Sequence, residues 1–153
     1  MEIEIIPYQP DFKTDFVRLN VAWLEEFFEV EPIDQEVLNH CEESIIQKGG
    51  FIFFAKSGDT ILGTYAFIKI ESHVFELTKM AVDQNCRGQG IGQLMLDHAV
   101  VFAEKHHWKK LILYSNTLLE NAIYLYRKCG FIEVPLEKDC VYKRGNIKME
   151  LVF

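Results

Sequence analysis

The tightest constraint on this chain lies in the stretch from Phe75 to Gly92. A strand-forming run, Phe75–Val82, leads to Arg87-Gly88-Gln89-Gly90-Ile91-Gly92, and Ile91, Leu94, Met95, Val101 and Phe102 then mark the apolar stripe of a helix ending near His107. Glycines at such a junction let the backbone approach a ligand closely and expose successive N–H groups. The helix that follows adds its dipole and its unpaired N-terminal donors. Together these form a cradle for a pyrophosphate, although the same pattern also serves as a plain structural turn. Two other nucleotide folds are excluded directly. A dinucleotide fingerprint counted from Gly88 and Gly90 requires glycine at position 93, which is Gln93, and no Gly-Lys-Ser/Thr run exists for a P-loop.

The rest of the chain supplies an element order around this junction. Ile3 and Ile5 belong to a first strand ending at Pro7. Phe12, Phe16, Leu19, Trp23 and Phe27 recur at spacings of three and four, one face of an amphipathic helix that Pro32 breaks. Asp34 is of N-cap type and opens a second helix, expected to run to about Gln47 and to stop at Gly49-Gly50. Phe51–Lys56 and Ile61–Ile70 read as strands joined across Ser57-Gly58-Asp59, and Ser72-His73 turns the chain into the strand that precedes the glycine loop. Leu111–Tyr114 is a short buried strand, and Leu119, Ala122, Ile123 and Tyr126 mark a helix stopped by Gly130. Phe131–Val134 and Ile147–Val152 close the series as strands. The order β-α-α-β-β-β-α-β-α-β-β predicts a mixed α/β fold. A mostly antiparallel sheet is flanked by helices on both faces, in one domain over residues 1–153.

Composition narrows the function classes. At 153 residues and 49% hydrophobic, the chain can bury a core without metals or disulfides as staples. A net charge of −7 argues against nucleic-acid binding, which needs cationic surface. Apolar runs such as Phe51–Ala55 are too short to cross a bilayer, so no membrane association is expected. Residues 1–7 carry two glutamates and no basic residue ahead of them, unlike a signal peptide, so the expected location is cytoplasmic. Cys41, Cys86, Cys129 and Cys140 show no metal-ligand spacing and read as reduced thiols, with no metal expected.

Two motifs carry a resemblance to a known family. Arg87-x-x-Gly90-x-Gly92 resembles the Q/R-x-x-G-x-G/A acetyl-CoA motif of the GNAT superfamily of N-acetyltransferases. Asn121-Ala122-x-x-Leu125-Tyr126-x-x-x-Gly130-Phe131 is similar to its second signature. Both occur in order, with one helix and one strand between them, and Glu76–Val82 looks like the strand that precedes the first motif. The resemblance implies acetyl-CoA as cosubstrate. Backbone groups of Met80 and Val82 would pair with the pantetheine arm, the amides of Arg87, Gly88, Gln89, Gly90, Ile91 and Gly92 would hold the pyrophosphate, and Asn121 would reach the cosubstrate with its amide.

Acetyl transfer to an amine requires loss of an ammonium proton, stabilisation of an oxyanion and protonation of the leaving thiolate. The resemblance implies Tyr126 as the general acid; a packing role on its helix's apolar stripe is the alternative. It implies Glu76 as general base, eleven positions before Arg87, where a strand carboxylate or a water-orienting group is the alternative. His73 is the next nearest base and reads as a turn histidine. The N–H of Ala81 or Val82 would face the oxyanion. Cys86 and Cys129 have no base partner in the sequence, which excludes a thiol nucleophile.

From Leu19 to Gln47 there is no Lys or Arg, while Glu25, Glu26, Glu29, Glu31, Asp34, Glu36, Glu42 and Glu43 fall in that stretch. It reads either as a solvated helix face or as a field that gathers a cationic amine acceptor. A homodimer through the C-terminal strands is common in the family. A non-catalytic acyl-CoA sensor is the competing function, and a sensor has no need of both Tyr126 and Glu76.

Overall fold

The computed structural model describes residues 2–140 and 142–153. Its strands are β1 (Glu4–Pro7), β2 (Phe51–Ser57), β3 (Thr60–Glu71), β4 (Val74–Val82), β5 (Lys110–Ser115), β6 (Ile132–Val134) and β7 (Ile147–Val152). Its α-helices are α1 (Lys13–Phe27), α2 (Pro32–Asn39), α3 (Ile91–Lys105) and α4 (Glu120–Lys128). The strands form one sheet in the order β1-β2-β3-β4-β5-β7-β6. All pairings are antiparallel except β4 with β5. The expected element order and mixed sheet are both present.

The two-residue period of the strands explains the two cores. Phe51, Phe53 and Ala55 of β2 face one side, with Ile91, Met95, Leu96, Ala99 and Ala103 of α3 and Trp108. Ile52 and Phe54 face the other, with Phe16 and Leu19 of α1 and Leu38 of α2. Phe16, Phe54 and Phe67 are completely buried; each such side chain contributes about 1.5–3 kcal/mol through removal of apolar surface from water. Helices α1 and α2 thus cover one face of the sheet and α3 and α4 the other.

Local chemistry sets most boundaries. Gly58, in the left-handed region at φ 59°, makes the turn between β2 and β3. The second helix differs from expectation. It begins one turn earlier than an Asp34 N-cap would place it, because Glu31 caps it and Pro32, whose missing N–H is no loss there, takes the first helical position. Asp34 sits three residues on and accepts from the Glu31 N–H at 2.9 Å, the reciprocal half of a capping box. The α-helix also stops at Asn39 instead of reaching Gln47, and a separate π-helical turn, Glu42–Ile46, follows before Gly49-Gly50.

Candidate active site

Strands β4 and β5 run parallel and then part. Their ladder consists of Val74–Lys110, Phe75–Leu111 and Glu76–Ile112, and it ends there, although β4 continues to Val82 and β5 to Ser115. From Lys110 to Ser115, β5 pairs fully with β7 on its other side, which draws it away. The edge of β4 beyond Glu76 therefore faces an opening, where an extended ligand can complete the ladder as a strand would. A cavity of about 580 Å³ occupies this opening. Its walls are β4 from Leu77 to Val82, Tyr114 and Ser115 of β5, Trp23 and Phe27 of α1, and Asn121, Leu125 and Tyr126 of α4.

A bulge in β4 shapes one wall. Opposite Tyr65 of β3 the register slips by one residue, and Lys79 adopts φ 56°, a left-handed conformation uncommon for a residue with a side chain. Strict alternation would send Lys79 with Leu77 toward α3. The extra residue instead turns it onto the face of Thr78, toward α2, and leaves Met80 and Val82 packed on the α3 side.

At the far end of β4 lies the glycine loop. Gly88 and Gly90 both have φ 79°, and Gly90 is the residue from which α3 starts. A Cβ placed at Gly88, Gly90 or Gly92 would meet nothing within 4 Å beyond its own local backbone, so the N-terminal end of α3 opens onto free space where its backbone donors can meet a ligand. The Arg87 side chain turns away from the loop, pairs with Glu26 of α1 at 2.6 Å and lies over the Phe27 ring. Its hydrogen bond holds the Glu26 carboxyl below the usual range.

The structure gathers most of the residues expected from the sequence. Met80, Ala81, Val82, Arg87, Gly92, Asn121 and Tyr126 all line the cavity. Gly88, Gln89 and Gly90 are exposed beside it, and Ile91 is buried beneath the loop in the α3 core. Tyr126 is half-buried, with its ring edge-on to Phe131, and loss of water around the phenol pushes its pKa up to about 12. Glu76 is different: it is only 6% exposed and is not part of the cavity wall. Tyr142 stands in front of it and donates to Glu76 Oε2 at 3.1 Å. Burial raises the Glu76 pKa, with Lys79, Tyr142 and Thr78 opposing that rise.

Around this pair lies a charge network that the sequence did not reveal. Lys79 Nζ donates to Asp34 Oδ1 at 3.1 Å, and Arg144 makes a two-pronged contact with Asp34 at 2.8 and 2.9 Å and donates to Glu31 at 3.0 Å. Both cations lie against the Tyr142 ring, Lys79 at 5.0 Å and Arg144 at 4.9 Å from its centre. Burial alone would raise the Asp34 pKa, yet Arg144, Lys79 and the Glu31 N–H outweigh it and hold the carboxyl low. Glu31 also accepts from the Lys143 N–H at 3.0 Å, which straps the β6–β7 loop to the start of α2. Tyr142 and Arg144 come from that loop, which has no periodicity, so only the presence of a Tyr and an Arg near a turn could have flagged them.

The sequence model described as the Acetyltransferase (GNAT) family matches residues 16–131. The chain belongs to that family. Among curated relatives, N-acetyltransferase 8F1 of Rattus norvegicus is 26% identical over 94 residues, covering 58% of this chain and 42% of that protein. The chain spans less than half the length of the curated relatives it matches. Among solved structures, a GNAT-family acetyltransferase from Staphylococcus aureus Mu50 superposes with a TM-score of 0.85 at 22% identity, covering 97% of this chain and 98% of that one. A GNAT-family acetyltransferase from Elizabethkingia anophelis, solved with acetyl-CoA bound, gives 0.73 at 20% identity and covers 99% and 98%. These likenesses establish the GNAT fold for the whole described chain.

Proposed function

We propose that residues 1–153 form one acetyltransferase domain that moves the acetyl group of acetyl-CoA directly to a primary amine. The observation that carries this reading is the parting of β4 from β5, which leaves an unpaired strand edge running into the open N-terminus of α3. That shape suits a ligand with an extended amide-bearing arm at one end and a pyrophosphate at the other, which is the outline of acetyl-CoA. Met80 and Val82 offer backbone groups to the arm, Arg87–Gly92 offer amides to the pyrophosphate, and Asn121 offers its side-chain amide.

Acetyl-CoA supplies the activated acetyl thioester; the chain's own residues orient it and manage protons. Tyr126, with its phenol held protonated at neutral pH, donates to the departing sulfur. A backbone N–H of Ala81 or Val82 faces the developing oxyanion. Glu76 is the destination of the acceptor's ammonium proton. Direct attack needs no enzyme-bound acyl intermediate when the cavity holds both reactants together.

The acceptor is an amine that arrives as a cation. Of the eight acidic residues between Leu19 and Gln47, Glu26, Glu31 and Asp34 are engaged by cations of this chain. Glu25 and Glu29 line an open groove between α1 and α2, and with exposed Glu36 and Glu43 they supply the attracting field. The same proposal includes a cytoplasmic location and a homodimer formed through the C-terminal strands, where Ile132, Val152 and Phe153 are exposed. No helix among the described residues is long and apolar enough to cross a membrane. The test is a screen of primary amines with acetyl-CoA, read as acetylated product by mass spectrometry. Transfer to at least one amine supports the reading, and acetyl-CoA binding without product overturns it.

A further inference from the structure

Glu76 poses a problem for the reading above: the carboxylate that should receive the acceptor's proton does not touch the cavity where the acceptor lies. It is 94% hidden from solvent, and the groups between it and the cavity are Tyr142 and Thr78, both of which line the wall. The Tyr142 hydroxyl already donates to Glu76 Oε2 at 3.1 Å. We propose that Tyr142 is a further catalytic residue, relaying the acceptor's ammonium proton to Glu76.

In this step an N–H bond of the ammonium breaks as its proton passes to the Tyr142 oxygen. The O–H bond of Tyr142 breaks in the same event, and that proton forms a new O–H bond on Glu76. Tyr142 ends neutral, the amine ends neutral with its lone pair free to attack, and Glu76 ends protonated until it releases the proton to water. No charged tyrosinate forms, which is essential because burial and the facing Glu76 both disfavour it. The surroundings hold the relay in place. Lys79 and Thr78 face Glu76 from β4 and Asp34 anchors Lys79 from α2. Arg144 lies over the Tyr142 ring from its own loop, and the Tyr114 ring of β5 sits 6.0 Å from it. The strap from Lys143 and Arg144 to Glu31 fixes the loop that carries Tyr142.

This inference rests on the N-acetyltransferase reading, and its test separates the two. Tyr142→Phe keeps the ring against its two cations and removes only the hydroxyl. In thiol-release assays with amino acids, polyamines and lysine-containing peptides as acceptors, the wild type's best acceptor is carried through a pH series. The expected result for Tyr142→Phe is about a 10²-fold lower kcat/KM at pH 7 with acetyl-CoA affinity unchanged. The limb of the pH profile that follows Glu76 ionisation disappears, and activity recovers as pH approaches the ammonium pKa of the acceptor. Glu76→Gln gives the same profile, and the double variant is no slower than either single one, because both remove one path. A Tyr142→Phe rate within about threefold of wild type on an unchanged pH profile overturns the relay, as does a double variant whose losses multiply. If wild type acetylates no acceptor, the transferase reading falls, and a carboxyl-carbon NMR titration still decides the contact. Glu76 titrates at higher pH in Tyr142→Phe than in wild type if the hydroxyl donates to it, and at the same pH if the contact, and with it the relay, is absent.

Discussion

Replacing Asp34 by Asn tests whether the buried network holds the acceptor end of the site together. Asp34 is completely buried and takes four hydrogen bonds, from Lys79, from two Arg144 nitrogens and from the Glu31 N–H. Asparagine keeps the shape and can accept through one oxygen, so the capping contact to Glu31 survives. It cannot balance two cations. The Lys79 side chain is only 3% exposed and burial already holds its pKa below the ordinary lysine value, so without Asp34 its ammonium would face no adjacent carboxylate except Glu76 across the site. Breaking a buried pair on one side costs about 3–5 kcal/mol. For a chain of this size each kcal/mol lowers Tm by roughly 2–4 °C. Thermal and urea denaturation at pH 7 should therefore show a Tm drop of roughly 6–20 °C, and Lys79→Met in the same chain should recover part of it. The sign with pH is fixed as well. The folded pKa of Asp34 is depressed, so its contribution is complete above the unfolded carboxylate value of about 3.9 and is lost as pH falls through the lower folded value. The gap between wild type and variant should close over that acid range. Glu76 runs the other way: its raised folded pKa gives stability that is full below the unfolded value and is lost as pH rises through the folded one. An Asp34→Asn variant within about 1 kcal/mol of wild type, or a gap that does not depend on pH, would refute the argument that the network is a charge-balanced unit.

Two further outcomes follow from the cavity and the glycine loop beside it. Tyr126→Phe should lower kcat by about 10²-fold or more with acetyl-CoA Kd nearly unchanged, since the lost proton acts in the transition state; a kcat within about threefold of wild type would make Tyr126 a packing residue. Gly90→Val should weaken acetyl-CoA binding by at least about tenfold in calorimetric titration, through a branched side chain forced to φ 79° and projecting into the open cradle; unchanged affinity in a folded variant would move the pyrophosphate elsewhere.

The elements that place the site were largely legible because each obeys a local rule. The strand before the glycine loop, the start of α3 and the stripe carrying Tyr126 all follow from periodicity and glycine chemistry. What the sequence hid depends on contacts between distant segments. The β4 bulge at Lys79 is set by its pairing with Tyr65 of β3, and nothing in Leu77-Thr78-Lys79-Met80 announces that two successive side chains will share a face. The early end of the β4–β5 ladder depends on β7, about 35 residues further along the chain, drawing β5 aside. Asp34 read as a surface helix cap because its partners, Lys79 and Arg144, lie 45 and 110 residues away. Glu76 was recognisable as a position, but its seclusion behind Tyr142 follows from the path of an aperiodic loop.

The measurement closest to the central claim is acetyl transfer itself. Purified chain incubated with acetyl-CoA and a panel of primary amines should give an acetylated amine, with free thiol released in equal amount and at a rate set by enzyme concentration. Binding of acetyl-CoA in the cavity between β4 and β5 with no amine acetylated would contradict the account and leave the chain a sensor of acyl-CoA.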